Sequence, residues 1–455
     1  MRKWSPLVAV CLGTFLLLVD VTVVVVALPD IATSLGAGTD DLQWVLDGYA
    51  LALAALLLGA GSLADRYGRR RTYLIGLGIF AASSVLCALA PDATTLIGAR
   101  ILQGAGGAAM FATTAALLNV TYHGRDRGVA FGVWGAVNGA AAAAGPIAGG
   151  LLTEHLGWHW IFLINLPVCA AAAWFTLRGV TESRAPWGGR FDIPGTVTFT
   201  LAAGAITYGL ISASSSGWSA GVTVGSFVLG FAGLVLFLLA ERRSDHPMLD
   251  LGLFRRAPFA SLIAAAFLTQ AAAFSVMPYT TVWLQQFLGH GPVDAGLLGA
   301  LPMSLASLVV GVFAGRGLQR VPARWTVGGG LLLVAAGDLL QMRVSASSGG
   351  GVLIPGLILV GLGIGMVLPT LSSAVLGEVP RERSGMAGGA LNAFRQLGFA
   401  FGVAVLGTVV QGRTDFAAGL DAAMLVSALL AAAGGLIVLV FCRHRTPVEA
   451  VSAPV

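Results

Sequence analysis

The sequence predicts an all-α polytopic membrane protein, and its composition and its hydropathy pattern both lead to that class. Of its 455 residues, 56% are hydrophobic and only 10% are charged, with a mean hydropathy of +0.86. A soluble domain usually carries about 25% charged residues. Apolar runs of about 20 residues, each long enough to cross a bilayer, recur along the whole chain. The composition therefore excludes a soluble fold, and the organising unit is the spanning helix.

The first apolar run follows Lys3 and contains Asp20, and it is too long for the apolar core of a signal peptide. It therefore predicts an uncleaved first helix. Breaks rich in Gly, Pro and charge separate it from the runs that follow, and each run predicts one more spanning helix. The fourteen predicted helices cover 7–28, 44–64, 73–91, 94–118, 127–150, 159–178, 193–213, 219–240, 258–279, 293–314, 325–343, 352–375, 386–410 and 418–441.

Basic residues fall almost entirely in alternate segments between the predicted helices, as in the arginine-rich stretch 66–71, whereas the first loop on the other side holds Asp30 and Asp40. Because basic loops face the cytoplasm, this asymmetry predicts that both termini are cytoplasmic. It also explains the formal net charge of +5 without nucleic acid. We expect a multi-pass protein of the bacterial cytoplasmic membrane.

The second half of the chain repeats the first. At one constant offset, Gly128 and Gly145 of the fifth run correspond to Gly385 and Gly402 of the thirteenth. Equivalent helices lie eight apart, so the seventh and eighth helices are inserted between two related bundles of six. The predicted domains are an N-terminal bundle over 1–180, two linker helices with flanking loops over 181–257, a C-terminal bundle over 258–445 and a short cytoplasmic tail over 446–455.

The loop after the second helix combines a tight-turn glycine with an acidic residue among arginines. Asp65 can pair with Arg69 at i,i+4 or lie against a helix N-terminus. This loop resembles the signature loop of the major facilitator superfamily, where it latches the cytoplasmic gate. The resemblance implies a major facilitator fold with the substrate site between the halves. The motif comprises Gly61, Asp65, Arg66, Gly68, Arg69 and Arg70.

Two further motifs lie in the fourth and fifth helices. Arg100 and Gln103 share one helical face with Met110, and an arginine within a spanning helix is costly enough to indicate function. The stretch resembles the proton-linked motif of the superfamily. Proline kinks a helix, and flanking glycines allow close packing. The segment Gly145, Pro146, Gly149 and Gly150 resembles the motif that marks antiporters within the superfamily.

Three stretches narrow the resemblance, namely 18–29 in the first helix, 43–49 at the start of the second and 158–167 at the start of the sixth. With fourteen helices, they are similar to the drug:proton antiporters of the EmrB/QacA type. The resemblance implies a proton-coupled antiporter that exports drug-like or antibiotic molecules, takes its energy from the proton gradient without a cofactor or metal, and works as a monomer in the lipid bilayer.

Three charged residues form the predicted proton-coupling site. Counting about 1.5 Å per residue places Asp20 about 12 Å, Arg100 about 9 Å and Asp47 about 5 Å below the outer surface. Because an unpaired charge there is costly, Asp20 and Arg100 are expected to pair or to share a water-filled cavity. Leu357 replaces Arg100 in the second half, so proton coupling is predicted to belong to the first six helices.

Polar and aromatic residues within the other runs are candidates for the substrate cavity. Uptake of a small metabolite by proton-coupled symport and a transport-dead sensor or scaffold are the alternative functions. A membrane enzyme would need a nucleophile or a His–Asp pair at reactive spacing, and the sequence shows neither. The cavity candidates are Gln103, Met110, Trp134, Asn138, Phe274, Tyr279, Asp338 and Arg395.

Overall fold

The structure is a computed structural model that describes residues 2–184, 192–244, 247–317, 321–342, 348–380, 383–413 and 415–442. Within these ranges every regular element is helical. The first bundle comprises α1 (Ser5–Leu35), α2 (Thr39–Tyr67), α3 (Arg69–Ala88), α4 (Ala93–Thr121), α5 (Gly124–Leu156), α6 (His159–Leu163) and α7 (Asn165–Gly179). The linker pair comprises α8 (Ile193–Ser216) and α9 (Gly221–Arg243).

The second bundle comprises α10 (Ala257–Thr269), α11 (Met277–Val282), α12 (Pro292–Gly299), α13 (Leu301–Gly317), α14 (Ala323–Gln341), α15 (Ile354–Gly377), α16 (Ser384–Gln411) and α17 (Phe416–Phe441). Two π-helical segments, Gln270–Phe274 and Trp283–Phe287, flank α11. Short 3₁₀ segments occupy Arg2–Trp4, Leu251–Arg255 and Gly350–Leu353.

Twelve helices in the described chain are long and apolar enough to cross a membrane, and a bent pair would make thirteen. The single helix predicted over 293–314 is divided in the structure into α12 and α13, which meet at an angle of 47°. Pro302 at the start of α13 has no backbone N–H to continue the helix, which accounts for the break. The helix predicted to end at 279 continues to Phe287 through the π-helical segments.

The two bundles use glycine for the same helix contacts. Gly104 of α4 lies against the carbonyl oxygen of Tyr49 in α2, and Gly361 of α15 lies against that of Met303 in α13. A Cβ at either glycine would collide with the backbone, so these crossings need glycine. The glycines that correspond in sequence therefore make corresponding contacts.

The linker helices α8 and α9 pack on one another and on the surface of the bundles. Gly230 and Gly233 of α9 lie against α8, with Ala202 in contact at both positions. In turn, α8 contacts both α2 and α16. The linker pair therefore lies beside the contact between α2 and α16, one of the places where the two bundles meet.

Candidate functional site

A fully buried ion pair joins two helices of the first bundle. Arg100 of α4 donates from Nη1 to Oδ2 of Asp20 in α1 at 2.5 Å. The Asp20 side chain is 0% exposed and that of Arg100 is 1% exposed. Ion pairs are found in this setting because an isolated charge within a membrane bundle is costly. The structure thus brings together the two residues that the sequence predicted to pair or to share a cavity.

Neutral polar side chains surround the carboxylate of Asp20. Gln103 Nε2 and Asn165 Nδ2 each donate to Asp20 Oδ1 at 3.0 Å. The same two amides donate to Ser84 Oγ of α3, at 2.9 and 3.3 Å. Four helices, α1, α3, α4 and α7, therefore contribute to one polar network inside an apolar bundle. We call these residues, with Arg100, the Asp20 network.

Arg100 keeps further partners that do not depend on Asp20. Its Nε donates to the carbonyl oxygen of Val45 at 3.1 Å, and Nη1 also donates to Gln103 Oε1 at 2.6 Å. The guanidinium carbon lies 4.4 Å from the ring centroid of Tyr49, a distance typical of a cation–π contact. The guanidinium is therefore also held by α2 and by Gln103 of α4, independently of its contact with Asp20.

Asp65 connects the two bundles at the end where α1 begins and where α2 and α4 end, called here the Asp65 end. Its Oδ1 accepts hydrogen bonds from Arg69 Nε at 2.9 Å and from the backbone N–H of Gly385 at 2.8 Å. Oδ2 accepts from the N–H of Met386 at 2.7 Å. These amides begin α16, where a negative charge is favoured by the helix dipole. The loop therefore makes both contacts that its sequence allowed.

The remaining residues of this loop fit it closely to its neighbours. Gly61 of α2 lies against the backbone of Gly385, where a side chain would collide. Gly68 has φ of +114°, which favours glycine, and a Cβ there would meet the Glu182 carboxylate. Arg70 donates from Nη2 to the Leu177 carbonyl at 3.0 Å. Arg66 is half-buried and lies 5.3 Å from the ring centroid of Tyr67.

Glu182 is a partner of the loop that sequence reasoning missed. Its carboxylate accepts from the backbone N–H groups of Arg70 and Arg71, both at 3.1 Å, at the start of α3. Asp65 therefore caps the N-terminus of α16, and Glu182 caps the N-terminus of α3, the helix that follows the turn at Gly68. The available signal was an acidic residue shortly after an apolar run. Its partners could not be identified from the sequence, because Arg70 and Arg71 are more than 100 residues away.

Further contacts hold the bundles together on this side. Asn119 of α4 donates to Ser384 Oγ at 3.0 Å, and Asn392 of α16 donates to the carbonyl oxygen of Phe111 at 3.0 Å. Arg127 of α5 donates to the carbonyl of Ser373 at 2.9 Å. Together with the contacts of Asp65, these hydrogen bonds join the two bundles at the Asp65 end.

The predicted antiporter motif lies where α5 packs on α1. A Cβ at Gly145 would collide with the side chain of Thr22, and one at Gly149 would lie 3.0 Å from Val23. Gly150 faces Val293 of the second bundle at the looser distance of 3.5 Å. Pro146 lies within α5, and its side chain is outside the described part of the structure. The glycines thus set the approach of α5 to the helix that carries Asp20.

Of the other candidates in the first bundle, Trp134 and Asn138 are in contact with each other. Asp47 is half-buried on α2, and no ion pair is found for it in the described chain. Met110 is buried close to Gly13 and Gly76. Trp134 is also buried, and its Nε1 donates to Thr14 Oγ1 at 2.8 Å. Asn138 Nδ2 donates to the carbonyl oxygen of Trp134 at 2.7 Å.

In the second bundle, the acidic candidate and the basic candidate lie on different helices and have different partners. Asp338 of α14 is buried and accepts from Ser427 Oγ of α17 at 2.5 Å. Arg395 of α16 is also buried; its guanidinium carbon lies 5.8 Å from the ring centroid of Phe111, and its Nη1 donates to Asn392 at 3.4 Å. Tyr279 donates to the carbonyl oxygen of Val403 at 2.6 Å, and Phe274 is half-buried in the π-helical segment before α11.

One described cavity, of about 580 Å³, lies elsewhere, between α2 and α4 on one side and the linker helices on the other. Gly48, Ala52, Gly204 and Tyr208 are among its lining residues, and none of the predicted substrate residues lines it. Within the described ranges, no three His, Cys, Asp or Glu side chains converge as metal ligands would.

Tyr49 and Asn165 lie within two stretches that carry the family resemblance, 43–49 and 158–167, whereas Ser84 belongs to no motif recognised in the sequence. All three belong to the environment of Asp20 and Arg100. A polar residue within an apolar run was the available signal for Ser84 and Asn165. The signal is weak, because serine and asparagine also occur in spanning helices as ordinary packing residues.

The many apolar spanning helices, arranged in two bundles with corresponding glycine contacts, define a polytopic membrane protein. A family model described as Major Facilitator Superfamily matches residues 10–403. The chain belongs to the major facilitator superfamily.

Relatives in this family carry names of drug transport or resistance. The chain is 38% identical to the multidrug resistance protein Stp of Mycobacterium tuberculosis (strain CDC 1551 / Oshkosh), over 89% of this chain and 75% of Stp. It is 36% identical to the tetracenomycin C resistance and export protein of Streptomyces glaucescens, covering 90% and 77%. It is 34% identical to the multidrug efflux pump LfrA of Mycolicibacterium smegmatis, covering 92% and 84%.

The fold is also that of a solved structure. The crystal structure of the human organic anion transporter MFSD10 (TETRAN) superposes with a TM-score of 0.72. The match covers 96% of this chain and 99% of that one at 18% identity, which shows a shared fold. The membership and the relatives' names establish a transporter rather than an enzyme.

Proposed function

We propose that this transporter is a proton-coupled antiporter that exports drug-like or antibiotic small molecules across the bacterial cytoplasmic membrane. The observation that carries the proposal is the Asp20 network, in which a carboxylate is neutralised by Arg100 and closed off from solvent. Such a pair has two charge states that differ by one proton, and opening the bundle changes which state is favoured. The names of the relatives support the class of substrate.

The proposed topology has fourteen spanning helices in a 6+2+6 arrangement with both termini in the cytoplasm. Twelve helices and the bent pair supply thirteen spans. The fourteenth is α5, whose 33 residues extend about 50 Å at 1.5 Å per residue, enough to cross a bilayer. The excess of basic residues in the loops at the Asp65 end supports a cytoplasmic assignment for that end.

The transport cycle follows from a gate that is closed on the cytoplasmic side. Opening toward the outside hydrates Asp20, which takes a proton and gives up its ion pair while Val45 and Tyr49 continue to hold Arg100. Breaking the Asp65 contacts to Gly385 and Met386 then opens the cytoplasmic side. Substrate binding and the return of Arg100 to Asp20 release the proton inward. The protein uses the gradient alone and works as a monomer.

The decisive experiment compares Asp20→Asn with Asp30→Asn, which alters an exposed acid on the same helix. Inverted membrane vesicles containing each variant are energised with a proton gradient, and uptake of the fluorescent cation ethidium is recorded. We expect wild-type uptake to collapse with an uncoupler, Asp30→Asn to match wild type, and Asp20→Asn to lose gradient-driven uptake. Gradient-driven uptake of wild-type size in Asp20→Asn would overturn the assignment of Asp20.

The direction of movement separates antiport from symport of a metabolite. In inverted vesicles whose interior is acidified, an antiporter accumulates its substrate, whereas a symporter that carries protons inward in the cell does not. We expect accumulation that an uncoupler abolishes. A drug-susceptibility panel in an efflux-deficient bacterial host, with Asp20→Asn as the inactive comparison, then identifies the substrates. Accumulation in the absence of a proton gradient would refute proton-driven export. Failure to accumulate any of the compounds tested would refute it as well.

A further inference from the structure

The second bundle contains a buried carboxyl group that the proposed cycle does not use. Asp338 of α14 is 2% exposed. Its Oδ2 accepts from Ser427 Oγ at 2.5 Å, and its Oδ1 accepts from Gln341 Nε2 at 3.5 Å. Both described partners are neutral, whereas the carboxylate of Asp20 is paired with a guanidinium.

The position of Asp338 matches that of a residue in the Asp20 network. Gly76 of α3 packs on Gly106 of α4, and Gly330 of α14 packs on Gly363 of α15. Ser84 lies eight residues after Gly76, as Asp338 lies eight after Gly330. The two side chains therefore occupy the same place on the third helix of each bundle.

The partner of Asp338 matches as well. Ser84 accepts from Asn165 on the last helix of the first bundle, and Asp338 accepts from Ser427 on the last helix of the second. Asn165 lies fourteen residues before the end of α7, and Ser427 lies fourteen before the end of α17. The second bundle thus keeps the same polar link between its third and last helices. The buried acid of the second bundle lies on its third spanning helix, whereas that of the Asp20 network lies on the first helix of the first bundle. The residue equivalent to Arg100 is Leu357.

The described elements packed on α14 bring no cation to Asp338. The residues of α15 and of the 3₁₀ segment Gly350–Leu353 include no titratable group. On α17, Asp421 lies six residues before Ser427, about 9 Å along the helix axis. On α14 itself, Arg324 lies at the opposite end of the helix. Arg343, the nearest arginine in sequence, lies outside the described residues.

We propose that Asp338 is a second proton-binding carboxyl, related to the Asp20 network by the internal repeat. An ionised carboxylate with only neutral partners is strongly disfavoured inside the bundle, so the closed site holds the protonated acid. When water reaches α14, the O–H bond breaks and the proton passes to water; closure restores it. A role for this exchange in transport rests on the proposed function, whereas proton binding does not.

Infrared difference spectroscopy tests proton binding without a transport assay. Purified wild type labelled with isotopic aspartate is compared in acidic and alkaline buffer, and the carbonyl stretch of protonated aspartic acid is recorded. We expect a band that Asp338→Asn loses and that Ser427→Ala shifts in frequency, because the hydrogen bond to the carboxyl is removed. Asp20→Asn should retain this band. Identical spectra for wild type and Asp338→Asn would overturn the proposal. It would also be overturned if Asp338 were ionised in wild type and became protonated only in Arg343→Gln.

The pH profile of ethidium uptake in inverted vesicles tests the role in transport. We expect Asp338→Asn to make uptake several-fold less sensitive to pH, and Asp338→Glu to restore the wild-type profile. A packing role alone would lower uptake by the same factor at every pH, which would refute the transport role even if the infrared band is present. Loss of gradient dependence in wild type itself would instead refute the proposed function and leave the spectroscopic result standing.

Discussion

The two bundles share their helix contacts but arrange their buried charges in opposite ways. In the first, Asp20 and Arg100 form one compact pair that four helices surround. In the second, Asp338 and Arg395 belong to different helices and have neutral partners among the described residues. A repeat can therefore preserve backbone packing, which depends on small residues, while its charges diverge. The difference places an ion pair in the first bundle, whereas the ionisable groups of the second have only neutral hydrogen-bond partners among the described residues.

The largest effect that tests this comparison is expected for Arg100→Leu. It leaves the Asp20 carboxylate buried without its cation, a change that costs about 3–5 kcal/mol in buried pairs. We expect a large drop in the unfolding temperature of the purified protein in detergent. Acidic buffer should relieve the drop, because protonation removes the uncompensated charge.

Arg395→Leu is the matched control for Arg100→Leu, since it removes an arginine that has no acidic partner in the described chain. We expect it to lower the unfolding temperature much less. The double variant Asp20→Asn with Arg100→Leu should recover much of the loss. Equal losses in Arg100→Leu and Arg395→Leu would contradict the contrast between the bundles.

The next largest effect is expected for Asp65→Asn. The substitution removes the charge that holds Arg69 and the N-terminus of α16, and hydrogen bonds to charged groups are worth about 1.5–3 kcal/mol each. We expect the Asp65 end to open more often, which is measurable as faster labelling of a cysteine placed at Asn119. Asp92→Asn is the control, since Asp92 is exposed, caps α4 and makes no hydrogen bond with the described residues of the second bundle. Unchanged labelling in Asp65→Asn would show that the carboxylate does not hold the gate.

A smaller effect is expected where only packing joins the bundles. A Cβ at Gly61 would stand 2.5 Å from the carbonyl oxygen of Gly385, so Gly61→Ala must push α2 away from α16. We expect slower ethidium uptake with the dependence on the proton gradient retained. At Gly78 of α3 nothing lies within 4 Å of an added Cβ, and Gly78→Ala should match wild type. Loss of gradient dependence in Gly61→Ala would link this crossing to proton coupling.

Local features of the sequence predicted most of the helices and the core of the site. Hydropathy identifies spanning runs because each run interacts mainly with lipid and its neighbours, and the cost of charge in such a run singled out Asp20 and Arg100. The bend between α12 and α13 was missed, although Pro302 was a visible signal. The π-helical segment at 270–274 was not predictable in this way, because it lies where Gly402 of α16 packs against the backbone of Ala271.

Partners distant in sequence were the other limit. The sequence predicted that Asp65 could contact a helix N-terminus. No feature of the sequence near Asp65 indicated that the helix would be α16. The roles of Ser84 and Asn165 likewise depend on α3 and α7 meeting beside α1. Apolar composition predicts that helices lie in a bilayer, and it carries little information on which polar faces meet.

The smallest effect is expected for Asp47→Asn, which tests whether the second helix shares in proton coupling. Asp47 was predicted as part of that site, yet it is half-buried, and it makes no described contact with the Asp20 network. Since Asp47 is partly exposed near a helix end and its hydrogen-bond partner is the neighbouring Gln43 on the same helix, its neutral analogue should alter the energy of the bundle little. We expect ethidium uptake within about twofold of wild type, with the same pH profile, as for exposed charges of small energetic value. A pH profile displaced as far as that of Asp20→Asn would extend the proton site from α1 and α4 to α2.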